Sequence, residues 1–194
     1  MTSNEIQRCG WVSKKENMIR YHDEEWGVPL FDDEKLFEFV ILDGFQAGLS
    51  WEITLNKREN FRSAFNNFNP EKIALWDDKK IQELLQDTGI IRNKMKIKAT
   101  QKNARAYLKI KESGVTFSEY LWKFTDGKTI QNHWESLKDI PVSTKESDAM
   151  SKALKKDGFT FVGTTICYAF MQAAGMVNDH LVSCFRYKEV QRRS

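Results

Sequence analysis

Apolar residues recur at helical spacing along most of the chain, and no stretch alternates apolar and polar long enough to make a useful strand. Between Asp32 and Gly44, the residues Leu36, Phe39 and Val40 share one stripe of a helix, and Asp43 places a carboxylate at the end of it. Asp32 supplies the N-cap and Gly44 the stop signal. Ser50 opens a second helix, running to about residue 65, and Asn69-Pro70 is a cap followed by proline at the first helical position. Asp77 starts another helix, which ends at Thr88-Gly89. A long basic helix follows over 93–113 and a short aromatic one over 116–124. Thr144 then opens a helix over 145–157 that Gly158 ends, and Thr164 opens the next, which runs to Gly175. The pattern predicts an all-α protein folded as a compact helical bundle, without repeats or low-complexity linkers.

Composition agrees with this reading and narrows the function classes. Three Pro and ten Gly are too few for a loop-rich or all-β protein, and 194 residues suffice for one sizeable core. Thirteen Phe and six Trp give that core unusual aromatic weight. No apolar run approaches a membrane span, and the first residues do not form a signal peptide, so no membrane partner is expected. Three cysteines, an odd number, fit a reducing cytoplasm better than a disulfide framework. A net charge of +3 permits a nucleic-acid partner without requiring one.

Cysteine and histidine fall in two pairs at opposite ends: Cys9 with His22, and His180 with Cys184. Two thiolates and two imidazoles make the tetrahedral ligand set of a structural zinc, and the i, i+4 spacing of His180 and Cys184 puts both on one face of a helix. Such a site would cross-link the first and last segments. The alternative is a pair of buried thiols beside core histidines. Three further segments carry chemistry. In Tyr21-His22-Asp23-Glu24-Glu25-Trp26-Gly27 a candidate ligand is flanked by aromatics and acids. The stretch from Asp43 to Trp51 is a turn of small residues between an acid and an aromatic. From Gly158 to Thr165 the chain passes through glycine to hydroxyl residues at a helix start, with Lys152, Lys155 and Lys156 nearby, and free N–H groups there would suit a phosphate. Plain helix packing is the alternative for each.

At these residues the chain resembles the DNA-3-methyladenine glycosylase I family. The resemblance is carried by Arg8-Cys9-Gly10-Trp11, Tyr21-His22-Asp23, Trp26-Gly27-Val28-Pro29, Gln46-Ala47-Gly48-Leu49-Ser50-Trp51 and Lys57-Arg58-Glu59 in the first half. In the second half it is carried by Gly89-Ile90-Ile91-Arg92, Asn103-Ala104-Arg105-Ala106-Tyr107, Ser147-Asp148-Ala149, the run from Gly158 to Tyr168, and Val177-Asn178-Asp179-His180. It spans residues 8 to 184 in order, so residues 1–194 are expected to form a single glycosylase unit of intertwined helical lobes. The resemblance implies a helix-hairpin-helix glycosylase fold, with the helix-hairpin-helix at about 145–177, and one structural Zn2+ held by Cys9, His22, His180 and Cys184. It implies a base pocket formed by Tyr21, Trp51 and the acid at position 43, with Trp11 and Met18 beside them. It also implies DNA contacts from Gln46, Gly48 and Leu49, and from the hairpin residues Val162, Gly163, Thr164 and Thr165.

The implied activity is base-excision repair by a monomer acting on double-stranded DNA with alkylated bases. It would flip out and release 3-methyladenine, with 3-methylguanine as a further candidate, and leave an abasic site. A base methylated at N3 is cationic, so its glycosidic bond is weak and it departs neutral without a general acid. Flipped out, it can stack on Trp51, whose ring face favours a cation, while a carboxylate at Asp43 accepts a hydrogen bond from the base edge. Leu49 would plug the gap left in the duplex.

Two positions depart from the family pattern: Asp43 stands where Glu is usual, and Met18 where a second pocket Tyr falls. Asn178 stands where many helix-hairpin-helix glycosylases carry a catalytic Asp, with Asp179 next door as the rival. These departures motivate the alternative of a helix-hairpin-helix DNA-binding protein with weak or lost excision. A zinc hydrolase or deaminase is disfavoured, because four protein ligands leave no open position and the H-x-E with P-C-x-x-C pattern is absent.

Overall fold

The computed structural model describes residues 6–192. Their order is α1 (Glu16–Arg20), a π-helical turn (Tyr21–Glu25), α2 (Asp33–Gln46), α3 (Trp51–Asn56), α4 (Arg58–Ala64), α5 (Pro70–Ala74), α6 (Asp78–Gln86), α7 (Lys94–Glu112) and α8 (Phe117–Trp122). Then follow β1 (Ile130–Gln131), α9 (Lys145–Lys156), α10 (Thr164–Ala173), β2 (Val177–Asn178) and α11 (Phe185–Gln191). Short side chains fix the helix starts as the sequence predicts. Asp32, Asn69, Asp77, Asn93, Thr116 and Thr144 each accept a hydrogen bond from a backbone N–H in the first turn they open.

Helix α2 is the axis of the molecule. Every residue from Leu36 to Phe45 is buried, including Glu38 and Asp43, because neighbours cover it on all sides rather than on one stripe. α7, α8 and α10 pack against it, and α9 packs on α10. At its C-terminal end Phe45 begins an aromatic chain through Phe61 to Phe65, where it branches to Phe68 and Trp76, with contacting ring centroids 4.7 to 5.6 Å apart. Burying rings of this size contributes most of the local stability, with about 0.5–1.5 kcal/mol per aromatic pair beyond the area buried. This cluster anchors the end of the helix that carries Asp43.

The helix ends differ more from expectation. Gly44 does not stop α2, which continues to Gln46. Its missing side chain instead admits the hairpin connection, since a Cβ there would lie 3.5 Å from that of Phe161. The end is capped from outside, where the buried Lys96 ammonium donates to Phe45 O at 2.8 Å and Ala47 O at 2.6 Å. The expected helix from Ser50 to residue 65 breaks at Lys57 into α3 and α4.

His180 and Cys184 do not share a helix face. They lie in a turn between β2 and α11, with Cys184 at the N-cap of α11. The physical reason is that the intervening N–H groups bond elsewhere: Leu181 N–H to Cys9 Sγ at 3.4 Å, and Val182 N–H to Trp134 O at 2.9 Å. β2 is itself half of a two-residue parallel pair, Ile130 opposite Val177 and Gln131 opposite Asn178, too short to leave an alternating pattern. Among the described residues no helix is long and apolar enough to cross a membrane.

Candidate active site and metal centre

Cys9, His22, His180 and Cys184 converge, all buried, with their ligand atoms within 4.8 Å of one another. His180 Nδ1 lies 3.6 Å from both Cys9 Sγ and Cys184 Sγ, and His22 Nε2 lies 3.5 Å from Cys184 Sγ. Those separations match the edges of a tetrahedron with metal–sulfur bonds of about 2.3 Å and metal–nitrogen bonds of about 2.0–2.1 Å, for which a sulfur–nitrogen edge is about 3.6 Å. The other nitrogen of each imidazole is held by an acceptor: His22 Nδ1 by Asp23 Oδ1 at 2.7 Å, and His180 Nε2 by Trp26 O at 3.0 Å. Each ring is thereby set in the tautomer that aims a lone pair at the centre. Arg8 grips Asp23 from behind at 2.7–3.0 Å. Contact between the two thiols raises that of Cys9 and draws Cys184 toward thiolate. The donor set, its burial and its spacing fit a metal ion.

The π-helical turn sets this centre against a cavity. Widening the helix at Tyr21–Glu25 sends His22 toward His180, at 4.9 Å between ring centroids, and Tyr21 toward Trp51, at 5.1 Å. Trp11 stands between the two sites, with ring centroids 5.4 Å from His22 and 6.4 Å from Tyr21. The cavity measures about 500 Å³, within the range of small-molecule sites. Trp11, Met18, Tyr21, Asp43, Gln46 and Trp51 all line it, so the structure gathers the expected pocket residues in one place. Met18 is buried, and its side chain makes an apolar stretch of wall.

Asp43 is the only carboxyl group buried in that wall. It is 3% exposed, and Oδ2 has no hydrogen-bond partner. Burial pushes its carboxyl well above the ordinary carboxylate range, since nothing nearby compensates its charge. The phenol of Tyr21 is also raised, by burial first and then by Asp43. Trp11 Nε1 and Trp51 Nε1 are likewise buried without a partner. Three polar atoms without a protein partner therefore belong to the residues of one cavity wall.

Beside the cavity mouth, the turn after α2 passes through Gly48 at φ 80° and presents Leu49 with 39% of its surface exposed. Gln46 donates to Leu49 O at 3.4 Å. The hairpin residues lie apart from these, between α9 and α10. Val162 is buried, and its carbonyl is taken inward by Ser151 Oγ at 2.6 Å and Cys167 Sγ at 3.4 Å. Gly163, not Thr164, is the N-cap of α10, with no side-chain cap on the first N–H groups. The Thr164 hydroxyl is taken by Asp148 and Ser147. A Cβ at Gly163 would meet nothing within 4 Å.

Sequence reasoning did not single out Glu52, Ile140, Ala169 and Gln172, which also line the cavity; Glu52 is held there by Ser13 and Lys15. The one available signal was the i, i+3 spacing of Ala169 and Gln172 on α10, which has meaning only once α10 is seen to pack on α2. Asp179 is buried but does not line the cavity. Its two oxygens accept from Asn132 and Trp134, and from Tyr168 and Gln172, at 2.7–2.8 Å. Asn178 is fully buried and bonds Gln131 and Tyr187 O, which leaves it a structural role.

A buried aromatic cavity with one uncompensated carboxyl, set in a helical frame beside a four-ligand metal centre, defines a small-molecule or nucleobase site of enzyme character. Comparison with known proteins gives the class. The family model for methyladenine glycosylase matches residues 11–187, so the chain belongs to the methyladenine glycosylase family, whose members hydrolyse N-glycosyl bonds. DNA-3-methyladenine glycosylase 1 of Escherichia coli (strain K12) is 52% identical over 182 residues, which cover 94% of this chain and 97% of that one. A crystal structure of 3-methyladenine DNA glycosylase I superposes with a TM-score of 0.91 at 54% identity, covering 92% of this chain and 98% of the other. A variant of 3-methyladenine DNA glycosylase I solved in complex with 3-methyladenine superposes at 0.89 with 34% identity, covering 92% and 96%.

Proposed function

We propose that this chain is a monofunctional DNA glycosylase that excises 3-methyladenine from alkylated double-stranded DNA, leaving an abasic site, with 3-methylguanine as a second candidate. The observation that carries the reading is the unpaired Asp43 carboxyl in an aromatic cavity. An uncompensated carboxyl in a low-dielectric wall favours a cationic base over a neutral one of the same outline, while the aromatic faces and hydrogen-bond acceptors still hold the neutral base. Adenine methylated at N3 is a cation only while it is joined to the sugar. When such a base enters, its charge favours the carboxylate, which reverses the burial cost, and Asp43 can accept from the exocyclic amino group. The faces of Trp51 and Tyr21 attract the same charge. Binding energy gained in the cavity offsets the unstacking needed to bring the base out of the duplex.

The bond-breaking step then asks little of the protein. The electron pair of the glycosidic bond passes to the cationic base, which leaves neutral. Water adds to the sugar carbon and gives up a proton, which completes hydrolysis without a general acid. The buried carboxyl in the wall is raised by burial, Glu52 is held by Lys15 and Ser13, and Asp179 is saturated by four donors, so none is arranged as the base of a conventional acid–base pair.

Zinc is the ion we assign to the four-ligand centre, since two thiolates and two imidazoles leave no open position. Bound zinc would neutralise the thiolates and tie residues near both ends together. We assign the DNA contact to a helix-hairpin-helix formed by α9, the connection 157–163 and α10, with the uncapped N–H groups after Gly163 meeting a phosphate. Leu49 is placed to fill the stack. One chain supplies every part, which supports a monomer acting as a single unit. The test is chromatography of duplex DNA treated with a methylating agent and then with the protein. Free 3-methyladenine with matching abasic sites supports the reading, and DNA that keeps all its methylated bases refutes it.

A further inference from the structure

Gln172 lines the cavity from α10, and its side-chain amide is oriented by a buried group outside the cavity. Its backbone is fixed first: the Gln172 carbonyl accepts from Gly27 N–H at 3.0 Å and from Gly175 N–H at 3.3 Å. The amide then donates from Nε2 to Asp179 Oδ2 at 2.8 Å. An amide can be placed either way round by shape alone, but a carboxylate only accepts. The NH2 group must therefore face Asp179, and the carbonyl Oε1 takes the other side.

Asp179 is held against reorientation on the same grounds. Oδ1 accepts from Asn132 Nδ2 at 2.7 Å and Trp134 Nε1 at 2.8 Å, and Oδ2 also accepts from the Tyr168 hydroxyl at 2.7 Å. Four donors converge on a side chain only 1% exposed. Turning Gln172 over would bring two acceptors together in a buried place and leave the carboxylate short of a donor, which is costly.

From this geometry we infer that Gln172 Oε1 is a specificity-determining acceptor for an N–H donor on the bound base, and that Asp179 is its positioning residue. The inference rests on the base-binding role proposed for the cavity. With Asp43 it gives the wall a second acceptor not held in an ion pair, since Glu52 is taken by Lys15 and Ser13, and this pattern suits a base carrying an exocyclic amino group. A base of the same outline with an oxo group at that place would set acceptor against acceptor and be rejected.

The experiment measures affinity for two free bases, 3-methyladenine and 3-methylhypoxanthine, by quenching of tryptophan fluorescence from the cavity wall. Wild type is expected to prefer 3-methyladenine. Gln172→Leu keeps the bulk and removes the acceptor, so it should weaken 3-methyladenine by about three- to tenfold while leaving 3-methylhypoxanthine unchanged or tighter. Asp179→Asn makes a sharper claim. With the Asn carbonyl kept toward Asn132 and Trp134, its NH2 faces Gln172, which must turn over and present Nε2 to the cavity. Preference should then move toward 3-methylhypoxanthine, a result that mere loosening of the fold would not give. If Asp179→Asn does not fold, Gln172→Leu alone decides. An unchanged ratio of the two affinities in Gln172→Leu overturns the inference while wild-type binding leaves the function reading standing. Failure of the wild type to bind either base removes that reading and this inference with it.

Discussion

Asp43 sits in the cavity wall at a cost to stability. Its carboxyl is buried, lacks a partner on Oδ2, and is raised well above its ordinary range by desolvation. An unfolded Asp titrates near pH ~3.9, so above that pH the native state holds a proton that the unfolded state has lost. Stability must then fall as pH rises from there to the raised native value, by up to about 1.4 kcal/mol per pH unit. Asp43→Asn removes the titration, so its thermal stability should decline less than wild type over that window. Parallel pH profiles for the two proteins would show that the carboxyl is not buried in solution. Catalysis should run the other way. Recognition of a cation needs the carboxylate, so wild-type kcat/KM should rise with pH through the same raised value. Asp43→Glu, which restores the reach usual in the family, should keep or raise activity. A Glu variant much slower than wild type would mean that the cavity has closed around the shorter arm. Gln172 belongs to the same scale but left no mark in the sequence, because nothing local distinguishes it from any other residue of α10.

Among the elements, beginnings were more legible than endings, although Gly158 and Gly175 close α9 and α10 as expected. A helix starts where a short polar side chain can cap its own backbone, which is a local event, and Asp32, Asn69, Asp77, Asn93, Thr116 and Thr144 all announced it. Helix α2 ends where a distant lysine reaches its carbonyls, and Gly44 serves close packing instead of termination. The π-helical turn that separates Tyr21 from His22, and the non-helical turn from His180 to Cys184, likewise depend on partners far along the chain. Asp43 stood out at the end of an apolar stripe, but the grouping of Tyr21, Asp43 and Trp51 into one pocket came through family resemblance rather than through periodicity. Lys96→Met should leave two carbonyls of the α2 terminus without a buried donor and cost about 1–3 kcal/mol in denaturant unfolding. A variant as stable as wild type would mean that water replaces the ammonium. At the other element, Gly163→Val meets open space at an ordinary φ of −63°, so folding should be unaffected. Its affinity for abasic-site duplex should fall alike for all sequences, with the log–log dependence on salt made shallower by the lost phosphate contact. Unchanged affinity would move the DNA anchor elsewhere.

Over the whole molecule, the buried Cys9–His22–His180–Cys184 cluster, which could hold a metal, and the cavity are one construction. Cys9 and Cys184 come from segments far apart in sequence, and the rings around them run through Trp11 and Tyr21 into the cavity wall. Purified protein should carry one zinc per chain, and its removal by chelation should lower the Tm on the order of 10 °C. Cys184→Ala should lose the ion, and a variant that retained it would exclude Cys184 as a ligand. The most direct measurement is the single-turnover rate of 3-methyladenine release from methylated duplex DNA, compared between wild type and Asp43→Asn at subsaturating protein with equal zinc content. Loss of a hydrogen bond to a charged group, worth about 1.5–3 kcal/mol, predicts release slower by about ten- to a hundredfold in the Asn variant. Equal rates in the two proteins, or binding of the methylated DNA by wild type with no base released, would contradict the account.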